Sequence, residues 1–122
     1  MRFEERELKP FATFVLTKDL KEGAIYFALQ YLDDKMLLPT MRPVAFIGKN
    51  LEPGDTGRVY FQDAESYRSG YRRDSSDSDT EALFESFPES KTGDVGAVYE
   101  YEDALDDLMR CALRRRKAHD NQ

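Results

Sequence analysis

Residues 44–63 read VAFIGKNLEPGDTGRVYFQD, and the fold turns on how they are understood. Val44, Ala45, Phe46 and Ile47 form an unbroken apolar run that stops at Gly48. A run this short, with β-branched and aromatic side chains, reads as a strand covered on both faces and not as a buried helical turn. Glu52-Pro53-Gly54-Asp55 carries the signature of a type II turn. Pro53 pre-sets the negative φ at the second position, and Gly54 supplies the positive φ at the third. Gly57 suits a bulged residue where the chain re-enters a strand. Over Arg58 to Gln62, Val59 and Phe61 share one face, with Arg58, Tyr60 and Gln62 on the other. The stretch predicts an antiparallel hairpin with a long loop. Its glycines, at 48, 54 and 57, match neither dinucleotide nor P-loop spacing, and no Lys-Ser/Thr pair follows, so the loop is turn chemistry and not a phosphate cradle.

Upstream, Pro10 closes a charged arm running from Met1 to Lys9, and Phe11 to Thr17 reads as a strand. Residues 24–32 satisfy two templates. Ile25, Phe27, Leu29 and Tyr31 make one face of a strand, while Leu20, Ala24, Phe27, Ala28, Tyr31 and Leu32 make a helical stripe. Gly23 and the aromatics favour the strand. After a turn at Asp33-Asp34-Lys35, Met36 to Leu38 begins another strand. Pro39 and Pro43 then mark an edge, a bulge or an irregular crossing, because proline cannot donate to a ladder.

Downstream, residues 63–70 predict a short helix with Asp63 as N-cap, Glu65 in its first turn and Gly70 as its stop. Residues 74–80 form a Ser/Asp-rich exposed loop. Ala82 to Phe87 is an edge strand or a helical turn halted by Pro88, Thr92-Gly93-Asp94 is a turn, and Val95 to Tyr101 is a strand. A C-terminal helix runs from about Glu102 to Arg116 or slightly beyond, with Ala104, Leu105, Leu108, Met109 and Ala112 as its apolar stripe. Glu102 and Asp103 open it and Arg114 to Lys117 close it, complementing the macrodipole at both ends, and Asp106 and Arg110 are spaced as an i,i+4 pair. The expected architecture is α+β: a mainly antiparallel sheet of about four to six strands, the C-terminal helix packed on one face, and the short helix near 63–70. Residues 1–122 form one domain, with a flexible tail at 118–122.

The 122 residues are 40% hydrophobic and 34% charged, which supplies a core and a heavily solvated surface. One cysteine excludes an internal disulfide and fits a reducing cytoplasm. Met1-Arg2 leads straight into FEEREL without the apolar run of a secretory leader, and no stretch approaches the roughly 20 apolar residues of a membrane helix. The net charge of −6 is unevenly spread. Residues 1–61 are neutral, 62–107 carry −10, and 108–122 carry +4. That balance disfavours nucleic acid, whose binding rests on neutralising phosphates, and favours a basic partner.

Catalytic equipment is sparse. His119 lies past the last periodic residue of the helix, without the positioned neighbour a general base needs. Cys111 reads as a small, partly buried helix residue, and one Cys with one distant His makes no soft-metal site. An EF-hand register from Asp77 supplies Asp77, Asp79 and Glu81 but puts Ala82 where Gly is required and Pro88 where Glu is required. The acid pairs Asp33-Asp34, Glu102-Asp103 and Asp106-Asp107 diverge on their elements, and Arg114 to Lys117 wrap around the helix instead of lining one face. No cofactor is implied.

The chain therefore reads as a small acidic, non-catalytic protein-interaction module of the immunity, inhibitor or accessory type, binding a basic partner. Its candidate surface lies where the hairpin's exit meets the C-terminal helix, at Asp63, Glu65, Tyr67, Tyr99, Glu100, Tyr101 and Asp103. The alternative is a small-ligand protein or enzyme with a pocket between sheet and helix, lined by Tyr26, Tyr31, Tyr60, Tyr99 or Tyr101 with Glu100 nearby. A third reading is a homodimer assembled through a strand edge or aromatic patch.

Overall fold

The computed structural model describes residue 8 and residues 12–72 and 83–120. Apart from residue 8, the charged N-terminal arm lies outside these residues, as do the Ser/Asp loop at 74–80 and residues 121 and 122. The elements are a 3-10 turn at Thr17–Asp19, strands β1 (Ile25–Tyr31), β2 (Pro39–Lys49) and β3 (Arg58–Asp63), helix α1 (Ala64–Arg68), strands β4 (Phe84–Pro88) and β5 (Val98–Tyr99), and helix α2 (Tyr101–Asp120). The strands form one antiparallel sheet in the order β4-β3-β2-β1-β5. The α+β class, the five-stranded antiparallel sheet and the C-terminal helix all agree with the sequence-based expectation.

The hairpin of residues 44–63 is the middle of this sheet. Val44 pairs with Asp63 and Phe46 with Phe61, and a bulge between Phe46 and Gly48 shifts the register before Lys49 meets Val59. The loop turns at Pro53-Gly54, where Gly54 has φ +85° and the Asp55 N–H donates to the Glu52 carbonyl, as a type II turn requires. The ambiguous segment 24–32 is strand β1.

Pro39 and Pro43 sit in a central strand of the sheet, but on a flank that β3 leaves unpaired, so the expected edge holds for that flank alone. The parity of the ladder explains it. Phe46 donates to Ala24 and Leu32 donates to Leu38, so even-numbered residues of β2 exchange hydrogen bonds with β1. Pro39 and Pro43, opposite Tyr31 and Phe27, face away from β1. On that other side the ladder with β3 ends at Val44. Neither proline is asked for the donor it lacks.

Three further expectations change. Residues 12–16 are extended but only bridge Leu16 to Asp94, while Val15 exchanges bonds with Val95 and Val98; Thr17 already belongs to the 3-10 turn. The strand expected over 95–101 contracts to Val98–Tyr99, because Ala97 adopts φ +70° and the Val98 N–H folds back to Val95. Tyr101 therefore starts α2, and the helix runs on to Asp120, taking in His119.

Both faces of the sheet are covered. One packs Val15, Tyr26, Ala28, Val44, Val59, Phe61, Val95 and Val98 with Phe46 and Phe87. Phe61 is its hub, with edge-on contacts to Tyr26, Phe46 and Phe87 at ring-centroid distances of 6.5, 5.9 and 5.8 Å. The other face packs Leu29, Tyr99 and Ala104 with Phe14, Phe27 and Leu108, under α2.

Candidate functional site

Helix α2 has an inner face, an outer face and a head, and the structure gives each a different chemistry. Only part of the expected apolar stripe faces the sheet: Ala104 and Leu108 pack against it. Ala104, Asp107, Arg110 and Cys111 are the buried positions, whereas Leu105 and Met109 point outward. An Asp-Arg pair has taken the place of aliphatic side chains.

Asp107, 2% exposed, is held from two sides. The Tyr31 hydroxyl at the end of β1 donates to its Oδ2 at 2.5 Å, and Arg110 donates from Nε and Nη2 to its Oδ1 at 3.2 and 3.1 Å. Arg114 reaches across to donate to the Met36 carbonyl from Nε and Nη2 at 3.1 and 2.9 Å, and its Nη2 also lies 3.2 Å from Cys111 Sγ. Tyr31, Asp107, Arg110 and Arg114 line a cleft of about 700 Å³ between α2, β1 and the extended residues 12–14, with Phe14, Leu29, Met36 and Tyr99 as its apolar and aromatic wall. Burial, then the hydrogen bond to Asp107, pushes the Tyr31 phenol up to about 12. Burial, then the negative charge of Asp107, also raises Tyr99, and burial raises the Cys111 thiol. At neutral pH both phenols and the thiol are protonated, so none of the three is an anionic nucleophile.

The head of α2 is acidic. Its first backbone bond closes from Ala104 onto the Glu100 carbonyl. Around that turn, Asp19, Glu100, Glu102 and Asp103 line an open hollow of about 500 Å³ with Thr13, Phe14, Val15, Leu16 and Tyr101, and no basic side chain among the described residues lines it. Among the described residues no three His, Cys, Asp or Glu side chains converge as metal ligands. From this hollow an apolar row runs along the outer face at i,i+4 spacing: Tyr101, Leu105, Met109 and Leu113, which are 59, 63, 50 and 44% exposed. Tyr101 is braced from below by an edge-on contact with Phe27, 4.8 Å between ring centroids. Beyond the row, Arg115, Arg116 and Lys117 are exposed, and Ala112, Arg115, Arg116 and His119 share one depression.

Of the seven sequence-derived candidates, Glu100, Tyr101 and Asp103 come together in the hollow. Tyr99 lies inside, 2% exposed, against the cleft. Asp63, the last residue of β3 and the N-cap of α1, lines neither opening, and nor do Glu65 and Tyr67 within α1. There, Asp63 caps the helix by accepting from the Ser66 N–H at 3.0 Å, and the Arg72 guanidinium stacks over the Tyr67 ring at 3.9 Å. Among the pocket tyrosines, Tyr31 and Tyr99 line the cleft and Tyr101 the hollow. Tyr26 sits in the opposite core and accepts from the Lys21 N–H, and Tyr60 donates to Asp55 in the hairpin loop. Asp19, Glu102, Leu105, Met109 and Leu113 were not singled out as site residues. A test for a second i,i+4 row on α2, apart from the one through Ala104 and Leu108, would have found the last three.

Among the described residues no helix is long and apolar enough to cross a membrane. Compared with protein-family models, curated proteins and solved structures, the chain matches none.

Proposed function

We propose that this chain is a non-catalytic protein-interaction domain that receives a basic, apolar segment of a partner along the head and outer face of α2. One observation carries the reading: a hollow to which four carboxylates contribute opens directly onto an exposed apolar row. Burying that row supplies affinity, and the carboxylates select a cationic end and steer its approach. The single cysteine and the absence of a disulfide support a cytoplasmic setting.

The test is binding of an amphipathic leucine-lysine helical peptide, followed by calorimetry at rising salt. Binding is expected, weakening as ionic strength rises and again on Glu100→Lys or Asp103→Lys. No binding, or binding indifferent to salt and to both substitutions, would overturn the reading.

The inner cleft favours a second reading, a small-ligand site, because about 700 Å³ is within the range of ligand pockets and Tyr31 and Tyr99 both line it. Native mass spectrometry of protein purified gently from cells is expected to show an adduct under that reading. A bare chain mass, with no thermal shift across a fragment library, would remove it.

A further inference from the structure

We infer that the partner of the α2 outer face is a second copy of this chain, with the two helices packed antiparallel about Met109. The inference rests on the interaction reading above and names the occupant of the same surface.

The argument is self-complementarity. A two-fold interface must present a patch that matches itself, each residue meeting the counterpart of its own opposite number. Along the outer face of α2 the order is acidic head, apolar middle, basic end. Met109 lies at the midpoint. Leu105 and Leu113 are each four residues from it, and Glu102 and Arg116 are each seven residues from it. At 1.5 Å per residue, Glu102 and Arg116 sit about 10 Å from the centre in opposite directions. Reversing one helix onto another about Met109 places Leu105 against the other copy's Leu113. The same reversal turns each acidic head toward the other copy's Arg115, Arg116 and Lys117. A parallel pairing would bring acid to acid and base to base, so the charges select the antiparallel orientation. The apolar residues lie on an i±4 row, which packs against its like at an interaxial angle of about −50°. The leucines and methionines then meet at the crossing, and the charged ends act over a longer range.

Four apolar side chains per copy place this contact at the small end of specific interfaces, below about 1,200 Å² in total. The dimer is expected to be weak and concentration dependent.

Sedimentation or light scattering over a concentration series tests this. The mass is expected to climb from 14.1 kDa toward twice that value. Leu105→Asp and Leu113→Asp, on exposed positions that leave the circular dichroism unchanged, are each expected to weaken dimerisation by about tenfold or more. Glu102→Lys and Arg116→Glu should each weaken it, and the chain carrying both should recover it. Orientation is read by mild oxidation. A mixture of Leu105→Cys and Leu113→Cys chains is expected to form the mixed disulfide, and Leu105→Cys alone is not. Dimers untouched by the two aspartates, or Leu105→Cys homodimers, would overturn the inference. A chain that stays at 14.1 kDa but binds the leucine-lysine peptide overturns the inference and leaves the interaction reading standing; one that does neither overturns both.

Discussion

The Tyr31 hydroxyl donates to Oδ2 of Asp107 at 2.5 Å, joining the end of β1 to the inner face of α2 across 76 residues of sequence. Asp107 also holds Arg110, so one carboxylate orients a phenol and a guanidinium that both line the cleft beneath the helix.

Removing that carboxylate takes a charge out of a buried pair. Asp107→Ala deletes the carboxylate that Arg110, 8% exposed, meets at 3.1 Å. A loss of about 3–5 kcal/mol in a urea melt is expected, because breaking one side of a buried pair costs more than the pair contributes. The double variant Asp107→Leu/Arg110→Leu should recover most of it. Equal losses in the single and double variants would contradict the account.

Alkaline pH should act on the same contact. An unfolded tyrosine titrates near pH 10, whereas folded Tyr31 is pushed up to about 12. The native state keeps a proton that the unfolded chain gives up. The resulting stabilisation is complete below about pH 10 and is lost as pH rises through the folded value. Tyr99 shifts in the same direction by burial first, and Tyr60 through its bond to Asp55. The informative quantity is therefore the difference between the native chain and Tyr31→Phe. The substituted chain should lose stability less steeply between pH 10 and 12 in thermal melts, and identical slopes would count against the assignment.

Adjacent residues of α2 should respond in opposite ways. Ala104 is 2% exposed and packs with Leu29 and Tyr99, while Leu105 is 63% exposed. Ala104→Leu overfills that contact and should cost about 1–3 kcal/mol. Leu105→Ala should change the stability of the isolated chain by less than about 0.5 kcal/mol. Denaturant midpoints at low protein concentration separate the two, and a large loss at Leu105 would mean that the helix is rotated from the orientation described.

Gly23 combines two constraints that a pair of variants can separate. Its φ is +84°, and a Cβ there would lie 2.9 Å from the Tyr67 hydroxyl. Gly23→Ala should cost about 1–2 kcal/mol for the left-handed backbone alone, with the steric term added. Combining it with Tyr67→Phe removes the steric part and leaves the backbone part. If the combination recovers everything, the backbone strain is absent.

Local patterns in the chain were enough for the hairpin, the turn at Pro53-Gly54, the cap at Asp63 and the presence of the last helix, because each is determined by neighbours a few residues apart. What escaped was set by distant packing. Gln62 looks polar and outward in the alternation of β3, yet it is fully buried, donating to Ser66 Oγ at 3.0 Å and to the Tyr71 carbonyl at 2.9 Å. α2 carries apolar residues on more than half its circumference, so periodicity allowed several rotations about its axis. Tyr31 chose among them by drawing Asp107 inward. The hollow at its head was half legible: Glu100, Tyr101 and Asp103 are neighbours in sequence, but Asp19 arrives from the 3-10 turn.

The placement of Pro39 and Pro43 has a consequence for association. Where β3 has ended, residues 39–43 of β2 keep β1 on one side but have no strand on the other among the described residues, and such an open flank invites an incoming chain to add itself. Only residues 39, 41 and 43 turn their backbone nitrogens that way, and two of the three are prolines. An approaching strand would find a single donor, at Met41. The open flank is thereby closed to β-addition while remaining part of a central strand, which leaves the proposed pairing of two copies to side-chain surfaces such as the outer face of α2.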